Sequence, residues 1–234
     1  MRNLYFPTTI IDGFFEDPDV IRDYALKQEF FSSSEWNGPD TLPNYPGKRT
    51  ASIEKLNPLL YHTINKKFMD LFFPTGQITV TIAHMAFQSI SQHYGSGWVH
   101  RDYFNIATAV IYLSKHEGGK NTGTSLYTKK DAFNDSLHNS SLKNAKQMSF
   151  KHEIDDRDSR EKTNSNFQEV LTINGLYNRA VLFDSHFYHA AQNFAGGELN
   201  DSRLSIIVFF DEIITSAAEL FPIQRMHKKA YTII

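Results

Sequence analysis

The chain has 234 residues, 41% of them hydrophobic and 14% aromatic, which is enough apolar material to bury one substantial core. A net charge of -2 supplies no broad basic field for phosphates or anionic lipid, so nucleic acid is not indicated as a partner. The absence of cysteine excludes disulfides, thiolate metal sites, iron–sulfur clusters and a cysteine nucleophile, leaving His, carboxylate and hydroxyl groups to carry any chemistry.

Residues 1–7 lack the apolar run and small-residue cleavage site of a signal peptide, and no stretch nears the roughly 20 apolar residues of a membrane span. The expectation is a cytoplasmic protein without a membrane partner. A short apolar strand, Thr8 to Ile11, precedes Asp17-Pro18, where a capping acid and a first-turn proline open a helix over 17–30 that places Val20, Ile21, Tyr24 and Ala25 on one side. Residues 32–50 are rich in Ser, Gly, Pro and Asn and predict a long surface connection. A second amphipathic helix is expected over 54–72, with Leu56, Leu59, Leu60, Ile64, Phe68, Leu71 and Phe72 in its apolar stripe.

From residue 77 the period changes to two. Ile78, Val80, Ile82 and His84 fall on one face of a strand reaching Ser91, and Ala83, Met85 and Phe87 fall on the other. Further strands are predicted at 106–113, 168–173, 179–183 and 204–210. Lys, Asn, Asp and Ser dominate between Lys115 and Phe167, which predicts a mobile polar insertion. Helices followed by many short strands make an α+β order, and one domain over 1–234 is expected: a helical front at 1–75, a β core at 76–212 and a tail at 213–234.

Two segments carry chemistry. In Trp98-Val99-His100-Arg101-Asp102, an extended backbone sends His100 and Asp102 to the same side, as adjacent metal ligands require. Alone the triplet is weak, being of the order that chance supplies in a chain with ten His. The second segment, Phe183-Asp184-Ser185-His186-Phe187-Tyr188-His189, runs from an apolar strand into a turn with two His. It is followed by a strand opening with Arg203 and Ser205 on one face. A guanidinium fork and a hydroxyl together form a carboxylate clamp, and an Arg in an apolar strand calls for an anionic partner, from the protein or from a ligand. His189 is preferred over His186 for its spacing to Arg203, although Asp184 and His186 also form a carboxylate–imidazole pair. His62, His84, His93, His116, His138, His152 and His227 are expected to be structural, with His84 read as a core histidine ahead of the alternative that it faces a cavity from its strand. Gln88 and Ser91 are weaker candidates to face a ligand.

Two imidazoles and one carboxylate match the facial triad of mononuclear non-haem iron sites. On His100-Arg101-Asp102, the distal His189 and Arg203-Leu204-Ser205, the chain resembles the Fe(II)/2-oxoglutarate-dependent oxygenases. Within them it is similar to the prolyl-4-hydroxylase-like branch and to small phage and bacterial relatives. Val110-Ile111-Tyr112-Leu113-Ser114 and Gly123-Thr124-Ser125-Leu126-Tyr127 extend the likeness, which spans residues 8–211. Ser114 replaces the branch's usual Asn, and Lys120-Asn121-Thr122 loosens its Gly-rich turn.

The resemblance implies a double-stranded β-helix, a cupin-like jelly roll with the N-terminal helices on its major sheet. It further implies Fe(II) on His100, Asp102 and His189, 2-oxoglutarate held by Arg203, Ser205 and Tyr112, and O2 as oxidant, with ascorbate as reductant. The implied reaction hydroxylates a primary substrate with release of succinate and CO2. Two alternatives stay open: a non-catalytic jelly-roll binding module, and a cupin-type metalloenzyme that does not use 2-oxoglutarate. The substrate and the oligomeric state are not readable.

Overall fold

The structure, a computed structural model, describes residues 8–38, 44–72, 78–102, 104–115, 121–130, 145–152, 154–215 and 231–233. It is a mixed helix and strand architecture built on antiparallel sheets. In chain order the elements are β1 (Thr8–Ile11), α1 (Pro18–Leu26), β2 (Phe31–Ser32), α2 (Ser33–Asn37), β3 (Lys48–Arg49), α3 (Ile53–Leu56), α4 (Pro58–Phe72) and β4 (Ile78–Ile90). There follow β5 (Ala107–Tyr112), β6 (Thr124–Lys129), α5 (145–152), α6 (Arg157–Asn164), β7 (Phe167–Ile173), β8 (Ala180–Asp184), β9 (Tyr188–Ala191), β10 (Arg203–Thr215) and β11 (Tyr231–Ile233).

An eight-stranded sheet runs β1-β8-β5-β10-β4-β3-β2, with β11 added in parallel to the end of β10, and a three-stranded sheet runs β7-β6-β9. Strand alternation decides what each face of the large sheet does. On one face Ala83, Met85 and Phe87 of β4, Ile111 of β5, and Ile206, Val208 and Phe210 of β10 pack against Phe14, Ala25, Ile53, Leu60, Ile64 and Phe68 from the helical front. Each fully buried Phe or Ile contributes roughly 1.5–3 kcal/mol. On the opposite face Val110, Tyr112, Val181 and Phe183 meet Leu126 and Ile173 of the small sheet.

The helical front differs in detail from the sequence expectation. Asp17 caps α1 by accepting from the Val20 N–H, with Pro18 in the first turn, but α1 ends at Leu26 rather than near 30. The helix expected over 54–72 is two, and Leu59 turns outward from its apolar stripe. Pro58 has no N–H to donate and holds Asn57 out of the helical region (φ -152°, ψ 85°), so α3 stops and α4 restarts, with the Asn57 side chain accepting from Leu60 N at 3.0 Å.

Residues 32–50 are not merely a surface connection. Ser32 and Glu35 form a capping box for α2, and β3 joins the edge of β4 with Lys48 opposite Ser89 and Arg49 opposite Gln88. Gly47 makes that approach possible: its φ is +68°, and any β-carbon there would collide with the Ser89 carbonyl. The expected mobile insertion at 115–167 is also corrected, because its described residues include β6, α5 and α6. A few anchors order this polar stretch. Phe150 packs on Tyr94, and the buried Arg160 pairs with Asp155. At the C-terminal end, β10 continues past the expected boundary of 212 to Thr215. Residues 116–120, 131–144 and 216–230 lie outside the described residues, as do His116, His138 and His227.

Candidate metal centre

The backbone itself brings the two histidines together. His100 and His189 sit opposite one another in an isolated antiparallel bridge, each amide donating to the other's carbonyl at 3.0 and 2.9 Å, which adds His100 to the β9 edge of the small sheet. Asp102, two residues along the extended chain, is tied by its own N–H to the Ser185 carbonyl at 2.9 Å. One ligand atom from each of His100, Asp102 and His189 lies within 4.8 Å of the others, the one such cluster of three among the described residues.

Hydrogen bonds fix which nitrogen of each ring faces inward. His100 Nδ1 lies 2.7 Å from the Trp98 carbonyl and His189 Nδ1 lies 2.9 Å from the Phe187 carbonyl. A carbonyl only accepts, so Nδ1 carries the proton and a neutral ring presents Nε2 as a bare lone pair. His189 Nε2 is 3.3 Å from one oxygen of Asp102, and His100 Nε2 is 3.7 Å from the other. Lone pairs facing a carboxylate at those distances call for positive charge between them, and a divalent cation fits that donor set. The carboxylate is oriented in turn: Thr108 Oγ1 donates to it at 2.9 Å and lies 2.8 Å from Ser185 Oγ. Thr108 and Ser185 carry no sequence signal of their own, since their role comes from register alone.

Burial pushes the His100 imidazole down to about 3, helped by the nearby Lys146 charge and by His189. Burial works the other way on Asp102, but attraction to positive charge on the side facing His189 and His100, together with the Thr108 hydroxyl, outweighs it and holds the carboxyl well below its usual range. Below pH 6.5 the unfolded chain therefore takes up a proton at residue 100 that the folded chain refuses, and stability falls with pH by up to about 1.4 kcal/mol per unit from this group. Asp102 acts in the same direction only below about pH 4. We expect the metal-free protein to lose stability between pH 6.5 and 4.5 more steeply than its His100→Asn variant, as read from urea midpoints. Identical slopes would contradict the burial of a neutral His100.

A cavity of about 310 Å³ is lined by residues of both sheets and contains all three of these side chains together with Arg203. Arg203 is buried, and it joins the sheets by donating Nε to the Thr122 carbonyl at 2.9 Å and Nη2 to the Gly123 carbonyl at 3.4 Å. No carboxylate among the described residues pairs with it, and burial pushes its guanidinium below the ordinary arginine value. Ser205 Oγ is buried without a hydrogen-bond partner, and the Tyr112 hydroxyl lies 2.7 Å from Thr124 Oγ1, with the Tyr112 ring centroid 5.3 Å from the Arg203 guanidinium. Thr124 lines the cavity, whereas Tyr112 and Ser205 stand behind that lining.

The remaining candidates separate clearly. His186 Nδ1 lies 3.3 Å from Asp184 Oδ1, away from the three-residue cluster. His84 is not a core histidine: it is exposed, pairs with Asp211 at 2.9 Å and stands at the cavity wall. His62, His93 and His152 are exposed. Gln88 lines the cavity and Ser91 does not. Trp98 is buried and lines it too. Arg49 and Lys146, which sequence reasoning did not single out, also face the cavity.

The model of a family of unknown function (DUF6445) matches residues 5–210. No curated protein matches the sequence. Among solved structures the chain is similar to a prolyl hydroxylase from Trichoplax adhaerens in complex with a hypoxia inducible factor oxygen degradation domain peptide fragment (11% identity, 87% of this chain and 83% of that one, TM-score 0.47). It is also similar to HygX from Streptomyces hygroscopicus with nickel and 2-oxoglutarate bound (9% identity, 88% and 82%, TM-score 0.49). A third is an oxidoreductase of the 2OG-Fe(II) oxygenase family from Burkholderia pseudomallei (10% identity, 87% and 84%, TM-score 0.46). No described helix is long and apolar enough to cross a membrane.

Proposed function

The chain belongs to the family of unknown function DUF6445, and from the side chains that this member gathers in its cavity we propose that it is an Fe(II)- and 2-oxoglutarate-dependent dioxygenase that hydroxylates its substrate. The observation that carries this reading is a buried arginine without a carboxylate partner among the described residues, lining the same cavity as two imidazoles and a carboxylate. The two facing sheets with helices on the larger one are in keeping with a double-stranded β-helix forming one domain.

His100, Asp102 and His189 would hold the metal on one side and leave its other positions open. Arg203 would receive the distal carboxylate of 2-oxoglutarate, with Tyr112 and Ser205 supporting the guanidinium from behind the cavity lining. When bound, Fe(II), 2-oxoglutarate and O2 supply the power to oxidise a C–H bond, with succinate and CO2 as coproducts. Phe183, Val110 and Ile207 give the cavity apolar walls that restrict water. A cupin-type site without 2-oxoglutarate leaves Arg203 without a role, and no glutamate is among the described residues lining the cavity.

With Fe(II), ascorbate and 2-oxoglutarate, the purified protein should release succinate slowly even without a primary substrate. No succinate, together with tight binding of a sugar or peptide, would favour the non-catalytic module instead.

A further inference from the structure

Apart from Arg203, the cavity contains a pair of cationic side chains. Arg49 enters from β3 and Lys146 from α5. The Arg49 guanidinium lies 4.0 Å from the Tyr45 ring centroid and 5.7 Å from that of Phe209, and its Nε is buried with no hydrogen-bond partner. Gln88, its neighbour across the strand pair, gives its amide to the Pro46 carbonyl at 3.2 Å. The Lys146 ammonium lies 5.6 Å from the Phe150 ring centroid, and no carboxylate among the described residues forms an ion pair with it. Burial pushes Arg49 down to about 10 and Lys146 down to about 8.

Charge accounting shows what is missing. Among the described residues lining the cavity Asp102 is the one acid, against Arg49, Lys146 and Arg203. A divalent metal with Arg203 is balanced by Asp102 with the dianion of 2-oxoglutarate. Two positive charges then remain on partly buried side chains, where a cation without a counter-charge is less favourable than in water. A planar fork and an ammonium lining one cavity are suited to an oxyanion.

Resting on the oxygenase reading, we propose that Arg49 and Lys146 form the receptor for an oxyanion on the primary substrate, which is a small organic acid. The cavity, about 310 Å³, is at the small end of ligand pockets and must also admit the cosubstrate, which favours a compact molecule. The Tyr45 and Phe209 rings flank the receptor and give the substrate's apolar part a surface to lie on.

Benzoate and phenyl phosphate, which share an apolar body and differ in the anion, are titrated by calorimetry into the full chain, both untreated and saturated with Ni(II) and 2-oxoglutarate. The expected result is that at least one probe binds the saturated wild type, with the preferred probe telling a carboxylate from a phosphoryl substrate. Arg49→Gln and Lys146→Gln each weaken that probe at least tenfold, Arg49→Lys retains part of the affinity, and all three variants still bind Ni(II) and 2-oxoglutarate. Failure of both probes to bind the wild type, or equal binding by wild type and the Gln variants, overturns the proposal. If Arg49→Gln loses 2-oxoglutarate while Arg203→Gln keeps it, Arg49 holds the cosubstrate, and the proposal falls while the oxygenase reading survives. If the wild type binds neither Ni(II) nor 2-oxoglutarate, the oxygenase reading falls, and the titration of the untreated chain still decides whether an oxyanion receptor exists.

Discussion

His189→Ala should weaken Fe(II) binding by at least about a hundredfold, whereas His186→Ala should leave it unchanged. The His189 ring is buried, with centroid distances of 4.4 Å to His100 and 4.6 Å to Phe183, and its Nδ1 is engaged by a carbonyl, so Nε2 already points toward Asp102 before any ion arrives. Loss of a residue that merely orients a ligand typically lowers metal affinity 10- to 100-fold, and removal of the ligand itself should exceed that range. His186 belongs instead to the Asp184 carboxylate. Anaerobic Fe(II) titration of the two variants decides the matter, and the reverse outcome would exchange their roles.

Arg203→Ala should raise the dissociation constant for 2-oxoglutarate by about 10²-fold, or about 3 kcal/mol, while sparing the metal. The size follows from burial, because a carboxylate brought to this guanidinium leaves water and would have no other cation at that place. Arg203 also ties β10 to the Thr122 and Gly123 carbonyls, so part of any loss is structural. Arg203→Lys separates the two contributions: it keeps the charge, loses the fork and should fall between wild type and Ala. Titration of 2-oxoglutarate into the Ni(II)-loaded variants gives the answer. Parallel loss of metal and 2-oxoglutarate affinity would count against a clamp.

Much of this site was legible because it depends on a period of two. His100 with Asp102, and Arg203 with Ser205, share a side through alternation alone, and the same alternation separates Ile206, Val208 and Phe210 from Ile207 and Phe209. Strand β6 was hidden because Thr124 and Ser125 are polar yet buried, held by cross-strand hydrogen bonds rather than by apolar patterning. Helices α5 and α6 were hidden because Phe150 and Arg160 are sparse anchors in a polar run. The division at Pro58 did carry a signal, an Asn-Pro step inside an apolar stripe. Arg49 and Lys146 were not singled out as site residues, since what marks them is their place in one cavity whose described lining holds a single acid, which only the folded arrangement reveals.

The bridge between His100 and His189 also sets the order of maturation. These residues lie on segments separated in the chain by β5 to β8, and neither holds a full ligand set alone. An ion meeting the nascent polypeptide finds no preformed nest, so capture awaits the slow, long-range pairing that closes the sheets. On the proposed function folding would come first and loading last, and an ion held by His100, Asp102 and His189 would act as a latch across an interval of sequence that no local turn could span.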